Sequence, residues 1–422
     1  MKSRSSNMKP FTDCLDLVPD RVDNCVLAFS GGLDSCVLLH LLANSRFLPI
    51  IKLWHVHHGL QLEADHMAKF CHQQANAYNL ELKLSHLNLE ATKANIEATA
   101  RTARYALFAR QLKPNDCLLT AHHLDDQVET FLLNVLRGSG CAGLRGIALQ
   151  KPIEKAQLIR PMLHFKREAL LDYATQHKIE WFEDPSNSSV KFNRNYIRHQ
   201  VTPVIQQRWP NYQDSIATVC EIQAETQQLL DDLALIDYVK LSNVSENLTL
   251  TTFPSTLDVD ALISLKKIRQ KNVIRYWLRI NKRSGLSKAR LDTFIQQLLA
   301  KQGANPIIEN NDYDIRLYDG RVFIVDHVRP QPTQSVYNFL SQPVLEIPEL
   351  NLLLRRDSVL DYLGVKESGQ VIQVRFRSEA LPAHQNSHRL KRLFQSHKVA
   401  PWLRKTTPQL LIDGELTGIW TA

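Results

Sequence analysis

Two apolar rhythms alternate through about the first 190 residues. Cys25 to Phe29 is a short unbroken apolar run, as a strand buried on both faces requires, and Ser35 to Ala43 continues as an apolar helix. The alternation then repeats. Ile50 to Val56, Leu82 to Leu84 and Leu118 to Ala121 read as strands, and Leu62 to Tyr78, Ile96 to Leu112 and Asp125 to Leu136 as helices. Strands alternating with helices predict an α/β fold, a parallel sheet covered on both faces, with ligands beyond the carboxyl ends of the strands. After Trp209 the pattern turns helical, over Asn211 to Leu241, Leu265 to Arg283 and Arg290 to Lys301, with short strands near Ile307, Ile315 and Val322. Pro330, Pro332, Pro343 and Pro348 mark a linker zone, and Leu350 to Ala422 reads as a small α+β domain with a basic helix near Arg389 to His397. The expected domains are residues 1–210, 211–330 and 345–422.

The densest motif sits where the first strand meets the first helix, at Ser30-Gly31-Gly32-Leu33-Asp34-Ser35. Two glycines permit positive φ and close backbone approach, and hydroxyls and free N–H groups at a helix start cradle an anion. Asp34 would repel a polyphosphate unless it holds Mg²⁺. The plain alternative is a capped turn, since Ser and Asp both cap helices. Neither a Gly-Lys-Ser/Thr ending nor a third dinucleotide-type glycine is present.

A second cluster, Thr120-Ala121-His122-His123-Leu124-Asp125-Asp126-Gln127-Val128-Glu129, also follows a strand and so opens onto the same edge. Asp126 and Glu129 share a helix face, as do Asp125 and Glu129, while Val128, Phe131, Leu132 and Leu136 are expected to anchor the opposite side. Acids at a helix start also complement its dipole, which is the bland reading. Arg137-Gly138-Ser139-Gly140 and Gly143-Leu144-Arg145-Gly146 follow, as a plain connection or a substrate loop.

Two arginine-rich segments remain. Glu97, Arg101 and Arg104 fall on one helix face, either a surface ion-pair stripe or a phosphate-contacting face. Trp181-Phe182-Glu183-Asp184-Pro185 leads to Arg194 and Arg198, again on one face, where RNA binding and structural ion pairing both fit.

The formal net charge of +8 is compatible with a nucleic-acid partner without requiring one. The seven cysteines include no Cys-x-x-Cys pair, which argues against zinc knuckles, iron–sulfur ligation and a disulfide framework, and for a reducing cytoplasm. No apolar run approaches the roughly 18–20 residues that span a bilayer, so no membrane partner is expected. The oligomeric state, single chain or homodimer, stays open at this level.

The loop Ser30 to Ser35 resembles the pyrophosphate loop of the N-type ATP pyrophosphatases. Together with His57-His58-Gly59-Leu60, the Glu97 to Tyr105 segment, His122 to Thr130 with Arg137-Gly138-Ser139-Gly140, and Trp181 to Arg198, it looks like the tRNA(Ile)-lysidine synthetases. The likeness extends to Arg389-Leu390-Lys391-Arg392-Leu393-Phe394 and Pro401-Trp402-Leu403-Arg404. One departure is that Arg375-Phe376-Arg377 precedes Ser378-Glu379-Ala380 where a glycine pair is common.

The resemblance implies a cytoplasmic ligase, with residues 1–210 as the catalytic ATP pyrophosphatase domain and 211–330 and 345–422 as tRNA-binding domains. ATP adenylates the wobble cytidine of a tRNA(Ile) with a CAU anticodon, and the ε-amine of L-lysine then displaces AMP. It implies ATP on Ser30, Gly31, Gly32, Leu33, Asp34 and Ser35, and Mg²⁺ on Asp34. His123 would neutralise charge at the α-phosphate, Asp126 and Glu129 would hold the lysine amine, and Arg101, Arg104, Arg137, Arg194 and Arg198 would contact tRNA or lysine. The alternatives are a tRNA-thiolating enzyme of the same fold, which commonly needs a catalytic or paired cysteine, and an RNA-binding protein with a vestigial nucleotide site.

Overall fold

The computed structural model describes residues 11–57, 62–87, 96–185, 189–242, 256–299, 307–328, 331–339, 343–365, 371–377 and 387–421. The chain divides into two compact units, Met1–Gln228 and Leu229–Ala422.

The first unit carries β1 (Asn24–Ala28), α1 (Leu33–Ala43), β2 (Ile51–His57), α2 (Leu62–Ala77), β3 (Leu82–His86), α3 (Ile96–Gln111), β4 (Asp116–Leu119) and α4 (Leu124–Leu136). It continues with α5 (Cys141–Leu144), β5 (Gln150–Ile153), β6 (Ala156–Ile159), α6 (Arg167–Gln176), α7 (Asn193–Tyr196), a π-helical turn over Ile197–Val201 and α8 (Thr202–Arg208). The strands form one sheet in the order β3-β2-β1-β4-β6-β5, all parallel except β5, which runs antiparallel to β6. β1 is central, with Leu27 in register with Leu53 on one side and Leu119 on the other. The strand order reverses between β1 and β4, and a crevice opens at such a switch point.

Alternate residues of β1 feed two cores, as the strand period requires. Cys25, Leu27 and Phe29 pack with α1 residues such as Leu38 and Leu42, while Val26 joins Trp54, Phe108 and Leu118 on the other face. At roughly 1.5–3 kcal/mol per fully buried large apolar side chain, these two layers hold the strand ends rigid.

The second unit begins inside α9 (Tyr212–Ser242). It holds β7 (Leu257–Asp258), α10 (Val259–Ser264), α11 (Lys267–Ile280), α12 (Lys288–Leu299), β8 (Ile307–Glu309), β9 (Tyr313–Tyr318) and β10 (Arg321–Asp326), around a core with Trp277, Phe294 and Tyr313. Next come β11 (Val336–Phe339), β12 (Val344–Ile347), β13 (Leu352–Arg355), α13 (Arg356–Leu363), β14 (Ile372–Arg375), α14 (Ser387–Ser396), β15 (Gln409–Ile412) and β16 (Glu415–Ile419). The architecture is α/β with a parallel-dominated sheet, followed by a mostly helical part and small α+β sheets.

The expected proline linker is corrected here. β11 pairs with β14 and β12 with β13, so part of the stretch from Pro330 to Pro348 is sheet. Pro343 and Pro348 flank β12 rather than interrupt it, which is where proline leaves a ladder intact.

Candidate active site at the β1–β4 crevice

The sharp exit from β1 depends on Gly31. Its φ is +81°, and a Cβ there would come within 2.9 Å of Cys71 Sγ and 3.2 Å of Phe70. The loop closes on itself through its hydroxyls: Gly31 N–H donates to Ser35 Oγ (3.1 Å), Gly32 N–H to Ser30 Oγ (3.3 Å), and Ser35 Oγ donates to Gly32 O (3.0 Å). Phe182 N–H donates to Gly31 O (2.9 Å), so the Trp181–Phe182 segment braces the loop from outside. Gly32 is the N-cap of α1 and supplies no side-chain cap, so the first-turn N–H groups are left for another acceptor.

One strand across, His123 is the N-cap of α4 and only 1% exposed. Its Nε2 lies 3.6 Å from Asp34 Oδ2 and 3.5 Å from Asp126 Oδ2, and its Nδ1 lies 3.6 Å from Asp125 Oδ2. Its backbone N–H donates to Asp126 Oδ2 (3.0 Å), which caps the helix. Burial opposes charge on this ring, but Asp126, Asp125 and Asp34 outweigh it and push its pKa up to about 10. The same imidazolium, joined by the Arg167 N–H, overcomes burial at Asp125 and draws that carboxyl down to about 2. Gln213 Nε2 and Arg167 N–H both donate to Asp125 at 2.8 Å, so Asp125 is a structural clamp. His122 behaves oppositely: burial, with Arg160, Arg101 and Arg194 outweighing Asp126, drives it down to about 3.

Behind them lies Glu129, also 1% exposed. Arg198 Nε donates to its Oε1 (2.6 Å), and Arg194 Nε stands 3.2 Å from its Oε2. Arg198 also reaches to 3.7 Å from Asp126 Oδ1, and Arg194 Nη2 donates to Thr130 Oγ1 (3.0 Å). Burial pushes the Glu129 carboxyl up while the Arg198 guanidinium pulls it down, and burial prevails.

Three protein-family models match the chain: a PP-loop domain over residues 7–205, a TilS substrate binding domain over 257–323 and a TilS substrate C-terminal domain over 372–420. The tRNA(Ile)-lysidine synthase of Pectobacterium atrosepticum is 34% identical over 427 residues, covering 97% of this chain and 93% of that protein. Its counterpart from Alkalilimnicola ehrlichii is 36% identical, covering 94% and 88%, and that of Escherichia coli O157:H7 is 34% identical, covering 92% and 90%. This chain belongs to the tRNA(Ile)-lysidine synthase family.

As a member of that family, the chain brings most of its expected site residues together at the sheet edge. Ser30 to Ser35, His123, Asp126, Glu129, Arg194 and Arg198 are joined by the contacts above. Arg101 and Arg104 lie on α3, close enough to His122 and Arg194 for their charges to act on one another. Arg137 is set apart. It caps the far end of α4, roughly 20 Å from His123 at 1.5 Å per residue, and is exposed.

Leu136 does not anchor α4 as expected: it is 78% exposed, because the helix ends there at the positive-φ Gly138. The glycine-rich stretch folds back on α4 instead. Asn134 Nδ2 donates to Gly143 O (2.8 Å), Ile147 N–H donates to Gln127 Oε1 (2.5 Å), and a Cβ on Gly146 would fall 2.5 Å from that same oxygen. His57 ends β2 with Nε2 3.0 Å from Asp65, whereas His58, Gly59 and Leu60, the Glu97 side chain and Ser378 to Ala380 lie outside the described residues.

Sequence reasoning passed over Gln213 and Arg160. Gln213 has no local signal, whereas Arg160 closes the apolar run Leu158–Ile159 at a strand end, which is a legible mark of the ligand edge.

Proposed function

We propose that this chain joins L-lysine to the wobble cytidine of a tRNA(Ile) with a CAU anticodon, forming lysidine with release of AMP and pyrophosphate. The observation that carries the reading is the Asp34–His123 contact, which sets a pyrophosphate loop against an acid-rich helix start across one switch-point crevice. The base carbonyl oxygen attacks the α-phosphorus of ATP and pyrophosphate leaves. The lysine ε-amine then attacks the same base carbon and AMP leaves with the oxygen.

The PP-loop domain supports ATP as the activating substrate. Mg²⁺ fits Asp34. Its Oδ1 is buried without a hydrogen-bond partner among the described residues, and Mg²⁺ typically takes one or two carboxylates together with substrate phosphates and water. Bound there, the ion would supply charge stabilisation for the pyrophosphate leaving group.

His123 is too deeply buried to cover the α-phosphate by itself, so we assign it to holding Asp34 and Asp126 in place. A lysine amine is protonated at neutral pH, with an ordinary pKa of about 10.4, and needs a carboxylate to accept its proton. Asp126, held by the His123 N–H on one oxygen, has the other 3.7 Å from Arg198 and turned toward the arginine pair. Glu129 already engages two guanidinium groups, so it meets the amine only as part of that network.

A thiolating enzyme is the weaker reading. Burial pushes the Cys14, Cys25, Cys71 and Cys117 thiols up to about 12, against the lowered value a nucleophilic thiol needs. Incubating the full chain with tRNA, ATP and labelled lysine, then weighing the nucleosides, decides between them. A cytidine carrying the label supports lysidine formation, and a thiolated base or unchanged RNA removes it. A cytoplasmic setting fits cysteines that are all free.

A further inference from the structure

A third strand end on the ligand edge carries charge that the reading above leaves unused. Arg160 follows β6 directly, and Thr120 N–H donates to the neighbouring Ile159 O (3.1 Å), which ties it to the β4 exit that leads to His122. Arg160 is 3% exposed. Its Nη1 donates to Ala148 O (2.5 Å), while its Nε has no hydrogen-bond partner among the described residues. Tyr105 of α3 gathers further cations around its ring: Arg101 Cζ at 5.4 Å, Arg104 Cζ at 5.9 Å and, from β5, Lys151 Nζ at 5.2 Å from the centroid. The Tyr105 hydroxyl is buried and lies beside the Arg160 guanidinium. Burial would raise that phenol's pKa, but Arg101, Arg160 and Arg104 outweigh it and hold it below its usual value.

Among the described side chains, which do not include Glu97, no carboxylate forms an ion pair with Arg101, Arg104, Lys151 or Arg160. Cations held together and partly desolvated repel one another unless an anion completes the group. Guanidinium forks fit phosphate oxygens in two parallel bonds. Two strand spacings, about 10 Å, separate the ends of β1 and β6. A phosphate at Arg160 would thus sit two strands away from the anion cradle of the loop after β1. Backbone phosphate contacts of this kind set register without reading sequence.

We propose that Arg160, Tyr105, Arg101 and Lys151 form a pocket for a backbone phosphate of the RNA strand, fixing that strand while its base enters the β1–β4 crevice. The proposal rests on the chain being an RNA-modifying enzyme. The test uses the full chain as wild type, Lys151→Ala and Arg160→Gln, with an anticodon stem–loop RNA as probe. Binding is read by fluorescence anisotropy across a salt series, ATP binding by calorimetry and folding by circular dichroism.

Each variant should weaken RNA binding about threefold or more at low salt and move the slope of log K against log salt toward zero by about 0.7–0.9. ATP affinity should hold. Lys151 is exposed, so Lys151→Ala decides the matter if Arg160→Gln does not fold. Unchanged RNA affinity and slope in a folded variant would overturn the pocket, as would a loss confined to ATP affinity, which would put the triphosphate there. If the wild type makes no lysidine while the variants show these slope changes, the functional reading falls and the pocket stands.

Discussion

His123 Nε2 stands 3.6 Å from Asp34 Oδ2, and this contact joins the loop after β1 to the helix after β4. Neither residue is near the other in sequence. The contact places the single carboxylate of the phosphate loop against an imidazolium that three acids keep charged at neutral pH. Asp34 thus meets His123 through one oxygen, while the other is buried without a hydrogen-bond partner among the described residues.

Asp34→Asn should abolish most lysidine formation while the fold persists. Losing one metal contact at a leaving pyrophosphate commonly costs several kcal/mol of transition-state stabilisation, at least about a hundredfold in rate. Pyrophosphate release at limiting Mg²⁺ is the measurement. Full activity of the variant under those conditions would remove Asp34 from the metal site.

The stability of the chain should fall as pH rises from the ordinary histidine value of about 6.5 towards 10. The folded state keeps the His123 proton across that window and the unfolded state releases it. The contribution is therefore complete below the unfolded value and lost as pH passes the folded one. Each retained proton gives a slope of about 1.4 kcal/mol per pH unit. Urea unfolding of wild type and His123→Gln from pH 6.5 to 9.5 tests this, because the variant should show a flatter profile over that range. Identical profiles would show that His123 is not the group that titrates.

Glu129→Gln and Asp126→Asn should impair lysine transfer more than adenylation, so that adenylated tRNA accumulates. Glu129→Gln should also cost stability, because Arg194 and Arg198 lose a buried partner. Breaking a buried pair from one side costs about 3–5 kcal/mol, and less here because the two guanidinium groups are 22% and 27% exposed. Single-turnover assays that follow labelled ATP and labelled lysine separately resolve the steps. Parallel loss of both would assign these carboxylates to adenylation.

Local chemistry made the phosphate loop and the acid–histidine helix legible, since each is a run of a few residues at a strand end. Strand and helix periods likewise gave β1, β2, α1 and α4 to within a residue or two. What escaped is non-local. Nothing in the spacing tells Arg194 and Arg198 that their partner is Glu129, more than sixty residues earlier, so RNA binding and ion pairing looked equal. β5 and β6 escaped because Gln150 to Ile153 mixes polar and proline residues, and only pairing with β4 turns the segment after it into sheet. Prolines between Pro330 and Pro348 read as a linker because their cost to a ladder is local, while the benefit of pairing β11 with β14 comes from a strand 36 residues on.

The basic helix read from the sequence near Arg389 to His397 is α14. Arg389, Lys391 and Arg392 are exposed, while Leu390, Leu393 and Phe394 turn inward. Two other members of the basic run are engaged. Lys398 Nζ lies 2.9 Å from Asp319, and Arg404 Nε donates to Val399 O (3.2 Å). Trp402 packs edge-on against Tyr318 and Phe323, at 5.9 and 5.5 Å between centroids, so it serves the interior of the second unit. Removing everything after Pro343 would therefore uncover β9 and β10 as well as delete charge, and would confuse the two effects. The sharper variant reverses Arg389, Lys391 and Arg392 to Glu and leaves Trp402 and Lys398 in place. Phosphate contacts depend on salt with a slope of about −0.7 to −0.9 each, so this variant should bind tRNA more weakly and with a slope nearer zero by up to about 2.1–2.7 if all three residues touch phosphate. ATP binding at Ser30 to Ser35 should be unchanged, and the unfolding midpoint should move little, because solvated charges on one helix face contribute about a few tenths of a kcal/mol each. Wild-type tRNA affinity and salt slope in the folded variant would leave α14 as packing for Phe394 and Val399 and nothing more.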